Sequence, residues 1–326
     1  MNKEQVLRIN QWIGSKFSFL VVGSMILGLI LPGIFAGMRP GVNMLLAVTM
    51  FTMALGCRFT DFGQVARLWK RLAFMFVISY GIIPLFALFL GKLILPGEPS
   101  LAAGLVLISL LPVAVTSAFW TETNEGSLPV TLSIITMTTL LSGVLIPVLM
   151  HLYVGTIVEF DSTALIIGLV KNVLIPVLIG LAVNQCLPQQ TRAVKPFLDT
   201  GVKLCLFLVI AINAAVIVPY LEQMGRVLLG VILGIIIYVL TCYTVGYSAS
   251  RLVFPHRRDV QISILYTSAM RNNSAGIVIA LAYFSPLVAV PVILSILFQQ
   301  PMAAMVKAIL DRRTREPQLA DISATS

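Results

Sequence analysis

Three neighbouring polar residues, Arg271, Asn272 and Asn273, interrupt an otherwise apolar run from Tyr266 to Ala282. A charged side chain in the middle of a membrane helix costs roughly 3 kcal/mol on insertion scales, so such a residue is expected to have a function. A guanidinium supplies five N–H donors and a permanent positive charge. This chemistry suits two tasks: attracting a substrate carboxylate, and donating to backbone carbonyls that a broken helix leaves free.

The composition indicates the environment in which this cluster must work. Hydrophobic residues make up 58% of the 326 residues and charged residues 11%, whereas soluble domains average about 45–50% and 25%. The net charge of +9 lies mostly in short loops and tails, which is typical of orientation by the positive-inside rule and not of a nucleic-acid surface. We therefore predict a multi-pass membrane protein. The sequence contains no GxSxG, HExxH or glycine-rich nucleotide motif, which counts against an enzyme.

Ten transmembrane helices follow from a requirement of about 20 apolar residues per span. Alternating the loops puts sixteen of the 22 basic residues on one side of the membrane, so we predict that both termini are cytoplasmic. Residues 1–16 have the pattern of an amphipathic interfacial helix, and 311–326 form a polar cytoplasmic tail. The predicted spans, numbered one to ten, are 17–36, 40–57, 71–95, 100–122, 127–153, 162–186, 200–220, 225–253, 260–283 and 285–310.

The spans divide into two sets of five, 17–153 and 162–310, and because five is odd the second set enters the membrane from the opposite side. This predicts an inverted repeat. Span four contains Pro112, which removes a backbone donor, followed by the hydroxyls of Thr116 and Ser117. Span nine contains the polar cluster described above. Interrupted helices at corresponding positions of two halves are typical of a transporter binding site.

Several motifs resemble those of the bile acid:sodium symporter family. They are Met53 to Phe62, Leu111-Pro112 followed by Gly126, Thr138 to Leu141 with Pro147, and Asn272 followed by Phe284-Ser285-Pro286. The similarity extends from about Phe17 to Lys307. It implies an all-α membrane fold with a panel domain of spans one, two, six and seven and a core domain of the other six. It also implies that spans four and nine are broken and cross near the midplane, and that the core moves against the panel to alternate access.

The family's sodium ligands are replaced at most of the corresponding positions. The glutamate that the family uses in both sodium sites is Thr267 here, and its span-nine glutamine is Arg271. No carboxylate remains in the middle of a predicted span, and a hard cation prefers several oxygen ligands, including charged ones. No cofactor is predicted, and the departures count against sodium coupling. The degenerate sodium positions are Ser79, Ser117, Ala118, Thr131, Ile135, Thr267 and Arg271.

The sequence thus predicts a secondary transporter of small organic anions, with the bilayer and its substrate as partners. Arg271 either occupies the place of the second sodium ion, attracts a substrate carboxylate or does both; alternatively, it only plugs a former ion site. Lys171, a second charge within a predicted span, either extends to the interface or lines the cavity. The residues at the breaks either contact the substrate or satisfy the broken backbone. The candidate substrate-binding residues are Thr116, Ser117, Arg271, Asn272, Asn273, Gln299 and Gln300.

Two other functions remain open at this point. One is efflux of arsenite-type oxyanions, although the helix-four cysteine of those related carriers has no counterpart in Leu111-Pro112. The other is a sensor that keeps the fold and has lost transport.

Overall fold

The computed structural model describes residues 5, 8–9, 12–13, 16–55, 68–155 and 162–324, and all its named elements are helices. Most of the predicted interfacial helix over 1–16, and most of the motif from Met53 to Phe62, lie outside the described residues. The helices are α1 Phe17–Ile30, α2 Pro32–Phe35, α3 Val42–Ala54, α4 Trp69–Val77, α5 Ile83–Ile94, α6 Pro99–Leu110, α7 Thr116–Thr123, α8 Leu128–Val154, α9 Ser162–Leu169, α10 Ile175–Cys186, α11 Pro188–Met224, α12 Val227–Val253, α13 Arg258–Ala269, α14 Asn273–Tyr283 and α15 Pro286–Ala324.

Six helical stretches within the described residues are long and apolar enough to cross a membrane, which agrees with a multi-pass membrane protein. They are Trp69–Ile94, Leu128–Val154, Ile166–Cys186, Pro188–Val216, Val227–Val253 and Pro286–Asp311. The remaining predicted spans consist of shorter pieces. Helix α1 ends just before Pro32, and spans four and nine are each divided into two helices. Both divisions fall where the sequence predicts them.

Two helices extend beyond the apolar segments from which they were predicted. Helix α11 begins at Pro188 and not at residue 200, and α15 continues to Ala324 and not to 310. Oppositely charged residues four apart form an ion pair at each extension: Lys195 with Asp199 within the first, and Lys307 with Asp311 at the start of the second. Such pairs support an exposed helical turn. Hydropathy marks where a helix is apolar and not where it ends, which explains the difference.

A π-helical turn, Ile78–Ile82, joins α4 to α5 and fixes the position of Tyr80. Pro84 has no N–H to donate to the carbonyl of Tyr80, which favours a local departure from the α-helical pattern of hydrogen bonds. The hydroxyl of Tyr153 on α8 donates to this turn, because it lies 3.2 Å from the carbonyl oxygens of both Tyr80 and Gly81. The proline thus opens the turn, and a distant tyrosine stabilises it.

Helix α6 is the most enclosed element that leads to the candidate site. Every residue from Leu101 to Leu110 is buried, and the helix packs against α5, α8 and α15. A helix that is apolar on all sides must be surrounded by other helices to be buried in this way. Its carboxyl end is therefore held firmly where the chain breaks at Leu111.

We expect Gly104→Ala to lower the thermal stability of the purified protein, because α6 approaches α15 closely there. A Cβ atom at residue 104 would lie 2.5 Å from the carbonyl oxygen of Val288 and 2.8 Å from Cγ of Pro291. Neither neighbour is the flexible end of a side chain, so the helices must separate at a cost of about 1–3 kcal/mol. The matched control is Gly23→Ala in α1, where no atom lies within 4 Å of the added carbon. Equal unfolding temperatures for the two variants would contradict this prediction.

Candidate functional site

The two helix breaks lie side by side and satisfy each other's backbone groups. The N–H of Asn272 donates to the carbonyl of Pro112 at 2.8 Å, and the N–H of Ala114 donates to the carbonyl of Met270 at 3.0 Å. The pair forms an isolated antiparallel bridge between Val113 and Arg271. Buried backbone groups without partners are costly, so each break requires the other. We refer to this paired segment, 111–115 with 270–272, as the crossing.

Side chains complete the hydrogen bonding of the crossing. Thr138 on α8 accepts from the N–H of Val113 at 3.1 Å. Asn272 caps α14, because its side-chain oxygen accepts from the N–H of Ala275 at 3.3 Å. An N-terminal cap of this kind typically stabilises a helix by about 1 kcal/mol. The geometry of the break is therefore fixed by several elements and not by the crossing alone.

Gln299 on α15 joins both arms of the break in span nine. Its side-chain oxygen accepts from the backbone N–H of Arg271 at 3.3 Å and from Nδ2 of Asn273 at 2.8 Å. Because all three residues are buried, removing this oxygen would leave two donors without partners. Gln299 thus holds the polar cluster in place from a helix nearly 30 residues further along the chain.

The guanidinium of Arg271 lies in the crossing and is only partly hydrogen-bonded. The residue is 1% exposed, and its Nη1 donates to the carbonyl of Leu111 at 3.3 Å. Its Cζ atom lies 5.1 Å from the centre of the Tyr80 ring. Nε and Nη2 have no hydrogen-bond partner within the described residues. These two nitrogens carry three of the five N–H donors of the guanidinium, and both atoms are buried.

No carboxylate neutralises Arg271 within the described part of the chain. The groups that interact with it electrostatically are Tyr80, Tyr238 and Cys242, which are uncharged in their ordinary protonated forms. The described ion pairs all lie elsewhere, in α11, α15 and the turn before α13. A buried charge is normally paired, so an unneutralised guanidinium is a marked exception.

A cavity of about 440 Å³ adjoins the crossing and is lined by residues of α3, α8, α11, α14 and α15 as well. Six of the seven predicted substrate-binding residues line it, and the exception is Ser117, which is fully buried and donates to the carbonyl of Ala114 at 2.7 Å. The six are Thr116, Arg271, Asn272, Asn273, Gln299 and Gln300.

Gln300 is held by two neighbours of the first break. Its oxygen accepts from Nε1 of Trp120 at 2.9 Å, and its nitrogen donates to the hydroxyl of Thr116 at 3.3 Å. The Trp120 ring in turn stacks near Tyr266, with ring centres 6.2 Å apart. These contacts connect α7, α13 and α15 and orient the amide at the cavity wall.

A second, smaller cavity of about 60 Å³ lies next to the crossing and brings together three of the degenerate sodium positions, Ser79, Thr267 and Arg271. The hydroxyl of Thr267 donates to the carbonyl of Ser263 at 2.8 Å, within its own helix. Arg271 is the one charged residue that lines both cavities within the described chain.

The other degenerate positions lie apart from this group. Ile135 lines the larger cavity, whereas Ser117, Ala118 and Thr131 line neither. The hydroxyl of Thr131 donates to that of Thr121 at 3.1 Å, so it already has a local partner. Within the described residues, no group of three or more His, Cys, Asp or Glu side chains could hold a metal ion.

Sequence reasoning missed a row of charges on α11. Lys195, Asp199 and Lys203 line the larger cavity at four-residue intervals, and this spacing was the available signal, because it places side chains on one helix face. Lys171 is exposed and lines neither cavity.

A charge pair holds the turn that leads into α13. Arg257 donates through Nε and Nη2 to the two carboxylate oxygens of Asp259, at 3.0 and 2.8 Å. These hydrogen bonds hold the pKa of Asp259 below its ordinary value. The pair is largely exposed, so its contribution to stability is small.

Comparison with known proteins identifies the family of the chain. The sequence model of the Sodium Bile acid symporter family matches residues 43–220. The uncharacterized protein YbaS of Bacillus subtilis is 32% identical over 297 residues, which cover 91% of this chain and 97% of YbaS. The uncharacterized sodium-dependent transporter YocS of the same species is 24% identical over 323 residues, or 98% of both chains. The probable chloroplastic sodium/metabolite cotransporter BASS1 of Arabidopsis thaliana is 26% identical over 329 residues, covering 98% of this chain and 78% of BASS1. The chain therefore belongs to the sodium bile acid symporter family, a family of membrane transporters and not of enzymes.

Proposed function

We propose that the protein is a secondary transporter of small organic anions that works by alternating access and does not couple transport to sodium. The observation that carries the proposal is the guanidinium of Arg271. It is buried, it has no carboxylate partner within the described residues, and two of its nitrogens lack hydrogen-bond partners there. A positive charge and N–H donors without protein partners favour the binding of an anion.

The surroundings of Arg271 support a small organic substrate. Amides and hydroxyls from both helix breaks and from α15 line the same cavity. Its volume of about 440 Å³ falls within the range of roughly 300–1,000 Å³ that is usual for small-molecule sites. The cavity combines polar groups and the cation Arg271 with apolar side chains such as Leu132 and Ile296, and this combination favours an organic carboxylate of metabolite size.

The same charge argues against a bound sodium ion. Ser79 and Thr267, which line the smaller cavity with Arg271, offer neutral oxygens only. A sodium ion about 5 Å from the guanidinium would be repelled by roughly 3 kcal/mol at an effective dielectric constant of about 20, a penalty of about 100-fold in affinity. We infer that the guanidinium supplies permanently the positive charge that an ion would otherwise bring.

We further propose the architecture through which the site would operate. Residues 17–153 and 162–310 form two inverted repeats of five spans, preceded by an interfacial helix over 1–16 and followed by the tail 311–326, with both termini cytoplasmic. The helices α1–α3 and α9–α11 form the panel, and the rest form the core. In favour of this arrangement, the larger cavity is lined by α3 and α11 together with the crossing, α8 and α15, so movement between the two groups would open and close it.

The test is uptake of labelled organic acids into proteoliposomes with either sodium or potassium outside. We expect the wild type to transport at the same rate, within about twofold, in both salts. The double variant Thr267→Glu/Arg271→Gln restores a carboxylate and removes the cation, so we expect uptake that is at least about tenfold faster in sodium than in potassium. The single variant Arg271→Gln is the control for the loss of charge alone.

Strict sodium dependence of the wild type would overturn the sodium-independent mechanism, and absence of uptake for all acids in the panel would overturn transport of organic anions. If the double variant shows no sodium effect, Arg271 does not stand in place of the ion.

A further inference from the structure

The positive charge of Arg271 is permanent and is held in place. A guanidinium does not lose its proton in proteins. Long basic side chains within a membrane usually extend to the interface, but Nη1 of Arg271 donates to the carbonyl of Leu111 at 3.3 Å and the residue is only 1% exposed. The charge is therefore held at the crossing and away from water.

Arg271 is also attached to the crossing through its backbone. Its N–H donates to the side-chain oxygen of Gln299 at 3.3 Å, and the residue forms the antiparallel bridge with Val113. The centre of the Tyr80 ring lies 5.1 Å from Cζ of the guanidinium. When the transporter changes between its two conformations, the guanidinium must therefore move together with the crossing.

Among the described residues, no acidic side chain is placed to neutralise this charge. The side chains that interact with it electrostatically are Tyr80, Tyr238 and Cys242, which are uncharged in their ordinary protonated forms. Asp199 is the one acidic residue that lines the larger cavity in the described chain, and both its carboxylate oxygens accept from Nζ of Lys195, at 2.9 and 2.7 Å. This carboxylate is already paired, so a bound anion is the remaining source of neutralising charge.

We propose that the transporter is an obligatory exchanger, which returns across the membrane only with a second organic anion bound at Arg271. This inference rests on the proposed function and names its coupling: one organic anion leaves for each one that enters. It differs from uniport, in which the transporter returns without a ligand.

The physical reason is the free energy of closing the cavity over an unpaired charge. In an open conformation, water in the cavity screens the guanidinium, and closing the cavity removes this water. With a carboxylate bound, the closed cavity encloses an ion pair with no net charge. Without a carboxylate, it encloses a single unpaired charge, which is far more costly. The conformational change is therefore fast with an anion bound and slow without one.

The experiment measures uptake of a labelled acid into proteoliposomes that contain either the same unlabelled acid or only potassium HEPES. The probes are lactate, gluconate and mandelate, which each carry one carboxyl group, and protein-free liposomes give the background. Valinomycin, with equal potassium on both sides, prevents a membrane potential from limiting net uptake. For each acid that the protein transports, we expect initial uptake to be at least about tenfold faster into vesicles that contain the acid.

Replacing Arg271 by glutamine tests whether the guanidinium causes the requirement for exchange. Arg271→Gln removes the charge, so the transporter without ligand would enclose no unpaired cation. With the acid concentration raised about 100-fold to offset the lower affinity, the ratio of exchange to net uptake should fall to about one. The matched control is Arg226→Gln, which removes an exposed arginine just before α12 and should keep the ratio of the wild type.

A second measurement on the wild type does not depend on the activity of any variant. A membrane potential of about 100 mV should change net uptake at least about threefold and leave exchange unchanged within about twofold. The reason is that only the transporter without ligand carries the unpaired charge through the membrane.

The outcomes separate this inference from the proposed function. Equal rates of uptake into vesicles with and without internal acid would overturn obligatory exchange and leave the organic-anion transporter intact. An unchanged ratio in Arg271→Gln, or exchange that responds to the potential as strongly as net uptake, would overturn the assignment of exchange to the guanidinium. Absence of uptake for all three acids, with and without internal acid, would overturn both proposals.

Discussion

Replacing Arg271 by glutamine should lower the uptake of organic anions by at least about 100-fold while leaving the protein as stable as the wild type or slightly more stable. The loss of uptake follows from the two nitrogens, Nε and Nη2, whose N–H groups have no partner within the described residues. Two charge-assisted hydrogen bonds to a carboxylate are worth together roughly 3–6 kcal/mol. Since 1.4 kcal/mol corresponds to a factor of about ten, the expected loss exceeds 100-fold.

The expected stability of Arg271→Gln follows from comparing the stabilising contacts of Arg271 with the free-energy cost of burying its charge. Its contact with Tyr80 is worth about 0.5–2 kcal/mol, and its single hydrogen bond to the carbonyl of Leu111 about 1 kcal/mol. Transfer of an unpaired charge out of water costs several kcal/mol. The Leu111 carbonyl also keeps a donor in the variant, because the hydroxyl of Tyr80 lies 3.3 Å from it. Replacing the arginine therefore removes a desolvation cost that is larger than the stabilisation lost with its contacts.

Two measurements on the same preparation decide between function and structure. Thermal unfolding in detergent reports stability, and proteoliposome uptake reports transport. The matched control is Arg226→Gln, which removes an exposed arginine just before α12. A fall of many degrees in unfolding temperature for Arg271→Gln would mean that the arginine plugs a former ion site, whereas normal uptake would exclude a role in substrate binding.

The positions of the helix breaks could be predicted because each violates a local rule. Pro112 cannot donate to the helix, and a charge followed by two amides is improbable in a lipid-facing helix. Both irregularities are visible in a single stretch of sequence. The pairing of the two breaks is not visible in a single stretch, because it joins residues about 160 positions apart. The sequence alone indicated it only through the resemblance to a family.

The roles of the side chains that hold the site could not be predicted, because their partners lie far away in the chain. Thr138, Tyr153 and Gln299 supply the acceptors and donors that the breaks and the π-helical turn require. From the sequence, Thr138 was noted as part of a motif and Gln299 as a candidate substrate contact, and nothing in its neighbours marks Tyr153. Ser117 illustrates an alternative that the sequence left open: a hydroxyl beside a break either contacts substrate or satisfies the backbone, and this one donates to the carbonyl three residues before it.

The charged row on α11 was missed for a physical reason as well. An estimate of spans from hydropathy assigns Lys195 and Asp199 to a loop, because polar residues lower the average of their window. The helix nevertheless extends through them, and their mutual ion pair makes this possible. Spacing contains the information that average hydropathy loses, since residues four apart share a face.

The second large effect that we expect concerns Gln299, where one added negative charge should abolish transport without unfolding the protein. Gln299→Glu keeps an oxygen that can accept from the N–H of Arg271 and from Nδ2 of Asn273, as the amide oxygen does at 3.3 and 2.8 Å. A carboxylate in this cavity would also offset the charge of Arg271 and repel the carboxylate of a substrate. We expect an unfolding temperature at or above that of the wild type. Uptake should fall by at least about 100-fold, because like charges about 5 Å apart repel by roughly 3 kcal/mol at an effective dielectric constant of about 20.

Gln299→Leu is the matched variant that separates charge from structure, because it removes the acceptor and adds no charge. Two buried donors would lose their partner, at about 1–3 kcal/mol each, so the unfolding temperature should fall by several degrees together with uptake. The diagnostic result is that Gln299→Glu keeps or raises the unfolding temperature and Gln299→Leu lowers it, while both variants lose transport to a similar degree. If Gln299→Glu transports anions with unchanged affinity, the cavity does not depend on its positive charge and the anion site lies elsewhere. If Gln299→Leu is as stable as the wild type, the amide does not hold the crossing together.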